Sequence, residues 1–174
     1  LDFITHSILN GHGFQVRDGV LTTPVVADIE VTTVAAEMSA DSTAGHVIIP
    51  IRYNNSFEAL NGGTLPQFAV KMTATASTGG TAFTPLPLLT GGRAAVTTAR
   101  ANDAGGVTVV DDAATTTRVL WMQHQAAVGN YEIDADLWGR GVVNGAGNIY
   151  VMVGSVTAGV QYFHALSYLE FTSA

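Results

Sequence analysis

The feature that most constrains this fold is a strict two-residue alternation of apolar and polar side chains. It is cleanest at residues 130–138, NYEIDADLW, where apolar residues alternate with the carboxylates Glu132, Asp134 and Asp136. Successive side chains of an extended chain face opposite sides, so the pattern predicts a strand with one buried face and one acidic face in water. Such one-sided strands are typical of antiparallel sheets.

Further strands are predicted along most of the chain. Apolar or alternating runs occur at 25–35, 46–53, 67–76, 118–125, 149–156 and 160–171, with weaker candidates at 93–99 and 107–110. Turn residues separate them at short intervals, and no stretch has the period of a long helix. The sequence predicts an all-β fold, a single jelly-roll-like antiparallel β-sandwich of about eight strands over 25–174. Residues 1–24, broken by glycines, are expected to form an N-terminal arm or an edge segment.

Two local signals refine this topology. Pro50 lies inside the 46–53 strand, and because proline has no N–H for a ladder, that strand is expected at an edge or at a bulge. Asn144-Gly145 is the strongest two-residue hairpin signal in the chain. It predicts that the chain turns there and returns as the 149–156 strand.

The charge pattern excludes several classes of partner. The chain has six arginines and one lysine but fourteen acidic residues, which gives a formal charge of −7. The basic residues are scattered singly along the sequence. Phosphate binding needs clustered cations, so neither nucleic acid nor an anionic membrane is expected as a partner. Cysteine is absent, which removes thiol catalysis and disulfides. No window approaches the roughly 18 apolar residues of a membrane helix, and the N-terminal stretch lacks the pattern of a secretory leader, so a soluble protein is expected.

Glu132, Asp134 and Asp136 are the leading candidates for catalysis. Carboxylates at i, i+2 and i+4 share one face of a strand, an arrangement similar to the E-x-D-x-E motif of β-glucanases of the laminarinase and lichenase type. Here Asp136 replaces the final glutamate and is one methylene shorter. Retaining hydrolysis needs carboxyl groups about 5–5.5 Å apart, whereas residues i and i+4 of a strand start about 13 Å apart. We therefore expect a solvated face and no enzyme, with glycoside hydrolysis as the alternative.

Metal and cofactor sites are not indicated. The same three acids, or Asp111 and Asp112, would offer oxygen ligands to calcium, but no loop has the required spacing. The five histidines are dispersed without a zinc-binding spacing. Nucleophile elbows and phosphate-binding loops are not present in the sequence. We expect neither a metal nor a cofactor.

Two stretches are expected to contact other proteins. The last strand has two apolar faces, made of Phe163, Ala165, Leu169 and Phe171 and of Tyr162, Leu166 and Tyr168. One face can serve the core, and the other needs a second sheet or a neighbouring subunit. We expect Tyr162, Leu166 and Tyr168 to form a self-association interface. The irregular stretch 77–92 is expected to be a lattice contact through Thr84, Pro85, Leu86, Pro87 and Leu88.

An acidic β-sandwich with strands such as VVADIEVTTV, NYEIDADLW and QYFHALSYLEF between glycine turns resembles the decoration or cement proteins of tailed bacteriophages. The resemblance implies a compact jelly roll, typically a homotrimer, that binds other capsid proteins on the outer capsid surface of a virion. Two other functions stay open. A carbohydrate-binding module or adhesin, located outside the cell, would need an exposed aromatic patch, and a β-glucanase-like glycosidase would need Glu132 and Asp136.

Overall fold

The computed structural model describes residues 1–19, 24–26, 35–60, 66–101, 106–110, 116–124, 132–154 and 160–173. Within them the elements are α1 Phe3–Leu9, β1 Gly13–Asp18, β2 Val25–Val26, β3 Ala35–Ala36, β4 Met38–Ser42, β5 His46–Leu60, β6 Gln67–Thr73, β7 Thr78–Gly79, β8 Thr81–Phe83, β9 Leu86–Pro87, β10 Thr98–Ala101, β11 Val107–Thr108, β12 Arg118–His124, β13 Glu132–Asp136, β14 Val143–Asn144, β15 Gly147–Gly154 and β16 Val160–Thr172. Strands dominate, as the alternation predicts. The middle of the predicted 25–35 strand lies outside the described residues.

Two large antiparallel sheets form the body of the molecule. The seven-stranded sheet has the order β13-β5-β16-β1-β9, with β14 paired to β5 and β2 to β16, and the six-stranded sheet has the order β12-β6-β15-β4-β10-β8. Apolar side chains of both sheets, among them Phe14, Phe68 and Val151, pack into one core. The predicted all-β antiparallel sandwich is therefore confirmed, and its jelly-roll connectivity stays a prediction. The expected count of about eight strands is not confirmed, since the described residues form sixteen, several of them only two or three residues long.

A third layer covers the outer face of the six-stranded sheet. The short strands β3, β11 and β7 form a three-stranded sheet. Ala36 and Val107 from this sheet pack against Tyr150 and Met152 of β15 in a second apolar cluster. β6 and β15 are thus buried on both faces, and even Lys71 on β6 is only 5% exposed.

Residues 1–19 are part of the sandwich and do not form an arm. The other expectation, an edge segment, is closer, because only the short strand β9 follows β1 in the order of its sheet. β1 pairs with β16 along its whole length and with β9 at Phe14 and Gln15. Phe14 and Val16 have no exposed surface because they point into the core. Helix α1 packs on the outer face of this sheet, on the side away from the core. It lies so close to β1 that a Cβ atom added to Gly13 would be 2.7 Å from Ile8 Cγ1.

The proline in β5 marks a bulge, and the alternative of an edge strand is wrong. β5 lies between β13 and β14 on one side and β16 on the other. Arg52 pairs with Ser167 and Pro50 with Tyr168, so Ile51 is an extra residue on β5. The carbonyl of Ile51 accepts a hydrogen bond from the Leu137 N–H at 2.9 Å. Pro50 therefore lies where β13 has ended and β14 has not begun, and its missing N–H breaks no ladder.

The Asn144-Gly145 turn forms, but it does not join a hairpin. Gly145 has φ +82°, the left-handed conformation that the dipeptide predicts. The strands on either side belong to different sheets, because β14 pairs with β5 whereas β15 pairs with β4 and β6. The turn therefore carries the chain from one layer of the sandwich to the other.

The expected self-association face lies inside the chain's own core. Tyr162, Leu166 and Tyr168 have no exposed surface and belong to the main apolar cluster. The six-stranded sheet of the same chain covers them, so a neighbouring subunit is not needed and the assignment of these residues to an interface is wrong. On the opposite face of β16, the ring of Phe171 contacts Phe3 of α1, with ring centroids 6.1 Å apart.

Candidate functional site

The acidic strand lies at the edge of the seven-stranded sheet, with β5 beside it. In β13 the side chains of Ile133 and Ala135 are buried, whereas Glu132, Asp134 and Asp136 are exposed. The predicted alternation is confirmed for these residues, and Asn130 and Tyr131 lie outside the described residues. Antiparallel pairing places Ser56, Asn54 and Arg52 opposite the three acids in turn.

Two of the three acids have structural partners. The Arg52 guanidinium donates two hydrogen bonds to the Asp134 carboxylate, and Asn54 Nδ2 donates a third at 3.1 Å. The hydrogen bonds from Arg52 are the main cause of the lowered pKa of Asp134, and desolvation opposes them. Asp136 accepts from the Trp138 N–H at 2.9 Å and so fixes the turn that follows the strand.

This arrangement offers little to glycoside hydrolysis. A depression of about 330 Å³ is lined by Arg52, Asp134 and Asp136 but not by Glu132, so the three acids do not face one cleft. Asp134 is neutralised by Arg52, and the side chains are open to water instead of enclosed as in a typical active site. The solvated-face interpretation fits this geometry better than the β-glucanase alternative.

Beyond the acids, no described residue covers the outer face of the seven-stranded sheet near the middle of β16. Pairing across β5, β16 and β1 aligns Asn54, Ala165 and Arg17 in one row. Ser56 and Phe163 form the next row. These five residues line a depression of about 340 Å³, which we call the outer groove.

The other half of the same outer face carries α1 and an exposed apolar cluster. The rings of Phe3 and Trp138 have centroids 5.7 Å apart, and their exposed fractions are 55% and 40%. On the other side of α1, Ile8 and Leu88 both lie next to Gly13. A Cβ atom added to Gly13 would be 2.7 Å from Ile8 Cγ1 and 3.2 Å from Leu88 Cδ1. Phe3, Leu86, Leu88 and Trp138 are all exposed apolar residues, and we call them the N-terminal patch.

The predicted lattice stretch contributes to this patch. Thr84, Leu86 and Leu88 are exposed, Pro87 is half-buried and Pro85 is buried. β9 pairs with β1, and the Leu88 N–H donates to the Gly13 carbonyl at 2.9 Å. The structure thus brings the 84–88 stretch and the N-terminal helix, which are far apart in sequence, to one surface.

The histidines and acids of the described residues form no cluster of three that could hold a metal ion. His164 lies in the core, where its Nδ1 is 3.2 Å from the Tyr53 hydroxyl, and burial lowers its pKa to about 3. Nδ1 of His12 lies 3.0 Å from the Glu170 carbonyl oxygen. Asp111 and Asp112 lie outside the described residues.

Sequence reasoning missed a buried carboxylate, Glu170. It has no exposed surface, and its Oε1 accepts from Arg93 Nη1 at 2.7 Å while its Oε2 accepts from the Thr97 N–H at 2.7 Å. The signal in the sequence is a lone glutamate within the apolar run SYLEF. Its partners lie more than seventy positions away, so no local pattern indicates them.

Comparison with protein families, with curated proteins and with solved structures finds no match to this chain. Helix α1, the helix that the described residues contain, has seven residues, far fewer than the roughly 18 that a membrane-spanning helix needs.

Proposed function

We propose that this chain is a structural virion protein, a decoration or cement subunit that binds other capsid proteins on the outer surface of a shell and stabilises it. The observation that carries the proposal is the N-terminal patch. Clustered, solvent-exposed aromatic and aliphatic side chains are characteristic of protein interaction sites, and large apolar residues supply most of the binding energy there. Phe3 and Trp138 would be the central residues of this contact.

If the proposal is right, the genome that encodes this chain also encodes a major capsid protein, and the test is co-sedimentation of the purified chain with shells assembled from that protein. We expect saturable binding that is lost when Phe3→Ser and Trp138→Ser are combined, because both rings are exposed enough to be removed without opening the core. A matched control combines Val119→Ser and Met122→Ser on β12, where the side chains are 52% and 55% exposed. The control should bind normally.

Failure of the chain to sediment with the shells would reject the capsid proposal. Equal loss of binding in the control would reject the N-terminal patch as the contact. Self-association as a homotrimer belongs to the same proposal and is measured by light scattering across a dilution series. A mass of one chain at every concentration would reject the trimer and leave the capsid contact to the sedimentation test.

A further inference from the structure

We propose that the outer groove is a binding site for a neutral oligosaccharide, a function beyond the capsid contact. The groove has a volume of about 340 Å³, within the roughly 300–1,000 Å³ of small-molecule sites. It lies at the middle of β16, whereas the N-terminal patch lies around α1 near the end of that strand. The two surfaces can therefore be tested separately.

The register of three strands creates the groove. Ala165 on β16 lies between Asn54 on β5 and Arg17 on β1. Its methyl group is much shorter than the flanking amide and guanidinium, so the sheet surface is lower at Ala165 than on either side. Phe163, two residues before Ala165, lies half-buried at one end of the depression.

The lining suits a sugar. Asn54 and Arg17 have planar ends with hydrogen-bonding groups side by side, a geometry that matches adjacent hydroxyls of a pyranose ring. The Asn54 amide is already oriented, because its Nδ2 donates to Asp134. The Phe163 ring offers an apolar surface for the C–H face of the sugar. Ser56 adds a hydroxyl that can both donate and accept.

Other ligand classes fit the groove less well. Its floor is formed by β5 and β16, and each of these is paired on both sides at this point. Their backbone groups are therefore unavailable for adding a peptide strand. Glu132 lies beside the groove, opposite Ser56, and the chain has a formal charge of −7. This charge opposes phosphates and acidic sugars in spite of Arg17 on the groove wall, so a neutral glycan is the favoured ligand.

The test is a two-dimensional ¹H–¹⁵N NMR titration of the full chain with cellohexaose, laminarihexaose and mannohexaose, each raised to about 10 mM because shallow single sites bind in the millimolar range. We expect at least one sugar to shift the Asn54 side-chain amide and the backbone amides of Ser56 and Ala165. Arg17→Ala should weaken that binding about tenfold. Arg118→Ala, which removes an exposed arginine from β12, should leave it unchanged.

Phe163→Leu is the second variant, because it keeps an apolar side chain at a half-buried position and should fold while losing the stacking surface. Shifts from none of the three sugars would overturn the proposal. Shifts confined to Phe3 and Trp138, or equal weakening by Arg118→Ala, would also overturn it. An unrelated hexapeptide is titrated in parallel, and groove shifts with the peptide but not with the sugars would replace the glycan by a peptide ligand.

Discussion

Glu170 shows how one side chain can hold an irregular segment in place. Its carboxylate accepts from the Val96 and Thr97 N–H groups, from the Thr97 hydroxyl and from Arg93, whose guanidinium also lies 4.8 Å from the centroid of the Phe14 ring. Burial raises the pKa of Glu170, but the hydrogen bonds from Thr97, Val96 and Arg93 outweigh it, so the pKa is lowered. The ionised carboxylate therefore stabilises the fold.

Replacing Glu170 with glutamine should lower the free energy of unfolding at pH 7 by about 2–4 kcal/mol, because an amide cannot accept from all of these donors. A depressed pKa in the folded state gives stability that is present above the unfolded-state pKa and is lost as the pH falls through the folded-state pKa. The difference between variant and wild type should thus shrink below about pH 4. Urea unfolding at pH 7 and pH 3 measures both effects.

Glu132→Gln is the matched control, since that carboxylate is exposed on β13, and its stability at pH 7 should equal that of the wild type. A Glu170→Gln variant as stable as the wild type at pH 7 would show that the carboxylate network contributes nothing.

At the scale of elements, a polar tether holds the third layer on the six-stranded sheet. Asp41 on β4 accepts from the N–H and the hydroxyl of Ser77, both at 2.7 Å, and Ser39 Oγ lies 2.7 Å from the same hydroxyl. Arg100 on β10 completes the group, with its Nε 3.3 Å from Asp41. Ser77 immediately precedes β7, so these contacts fix where the three-stranded sheet begins.

Ser77→Ala should loosen the three-stranded sheet without unfolding the sandwich. The substitution removes two hydroxyl contacts that together contribute about 1–3 kcal/mol. Hydrogen exchange of the Thr78, Val107 and Thr108 amides should accelerate, while that of Val151 in β15 should not. Ser42→Ala on β4, whose hydroxyl makes only a 3.5 Å contact with the His46 carbonyl, is the control. Uniform acceleration across both sheets would show that the third layer does not open independently.

The elements differ in how much of them the sequence predicts. The one-sided strand β13 follows from alternation alone, since Ile133 and Ala135 face the core and the acids face water. For β16 the sequence correctly indicates two apolar faces, but which layer covers each face depends on contacts far along the chain. Asn144-Gly145 likewise predicts the turn and not the partners of the strands beside it, because pairing is decided by the packing of whole sheets.

At the scale of the whole molecule, the candidate surfaces arise from distant segments. The N-terminal patch joins α1 to the 84–88 stretch and to Trp138, and the outer groove joins β1, β5 and β16. The sequence predicts a contact with other proteins at 84–88, and it correctly indicates the acidic face of 132–136. It does not indicate that α1 divides the outer face of one sheet into an apolar half and a polar half, since that division depends on the docking of α1 on Gly13.

The placement of β16 makes a prediction about the stability of the entire chain. Tyr162 and Leu166 belong to the core that joins both sheets, so replacing both with serine removes two large side chains and buries a new hydroxyl at position 166 in apolar surroundings. Each change should lower the free energy of unfolding by about 3–5 kcal/mol. The two losses together are comparable to the whole stability of a domain, roughly 5–15 kcal/mol. Near-ultraviolet circular dichroism should show loss of tertiary structure, whereas the Val119→Ser and Met122→Ser control should keep it. If the wild type self-associates and the double variant is instead a folded monomer, this face of β16 belongs to a subunit interface.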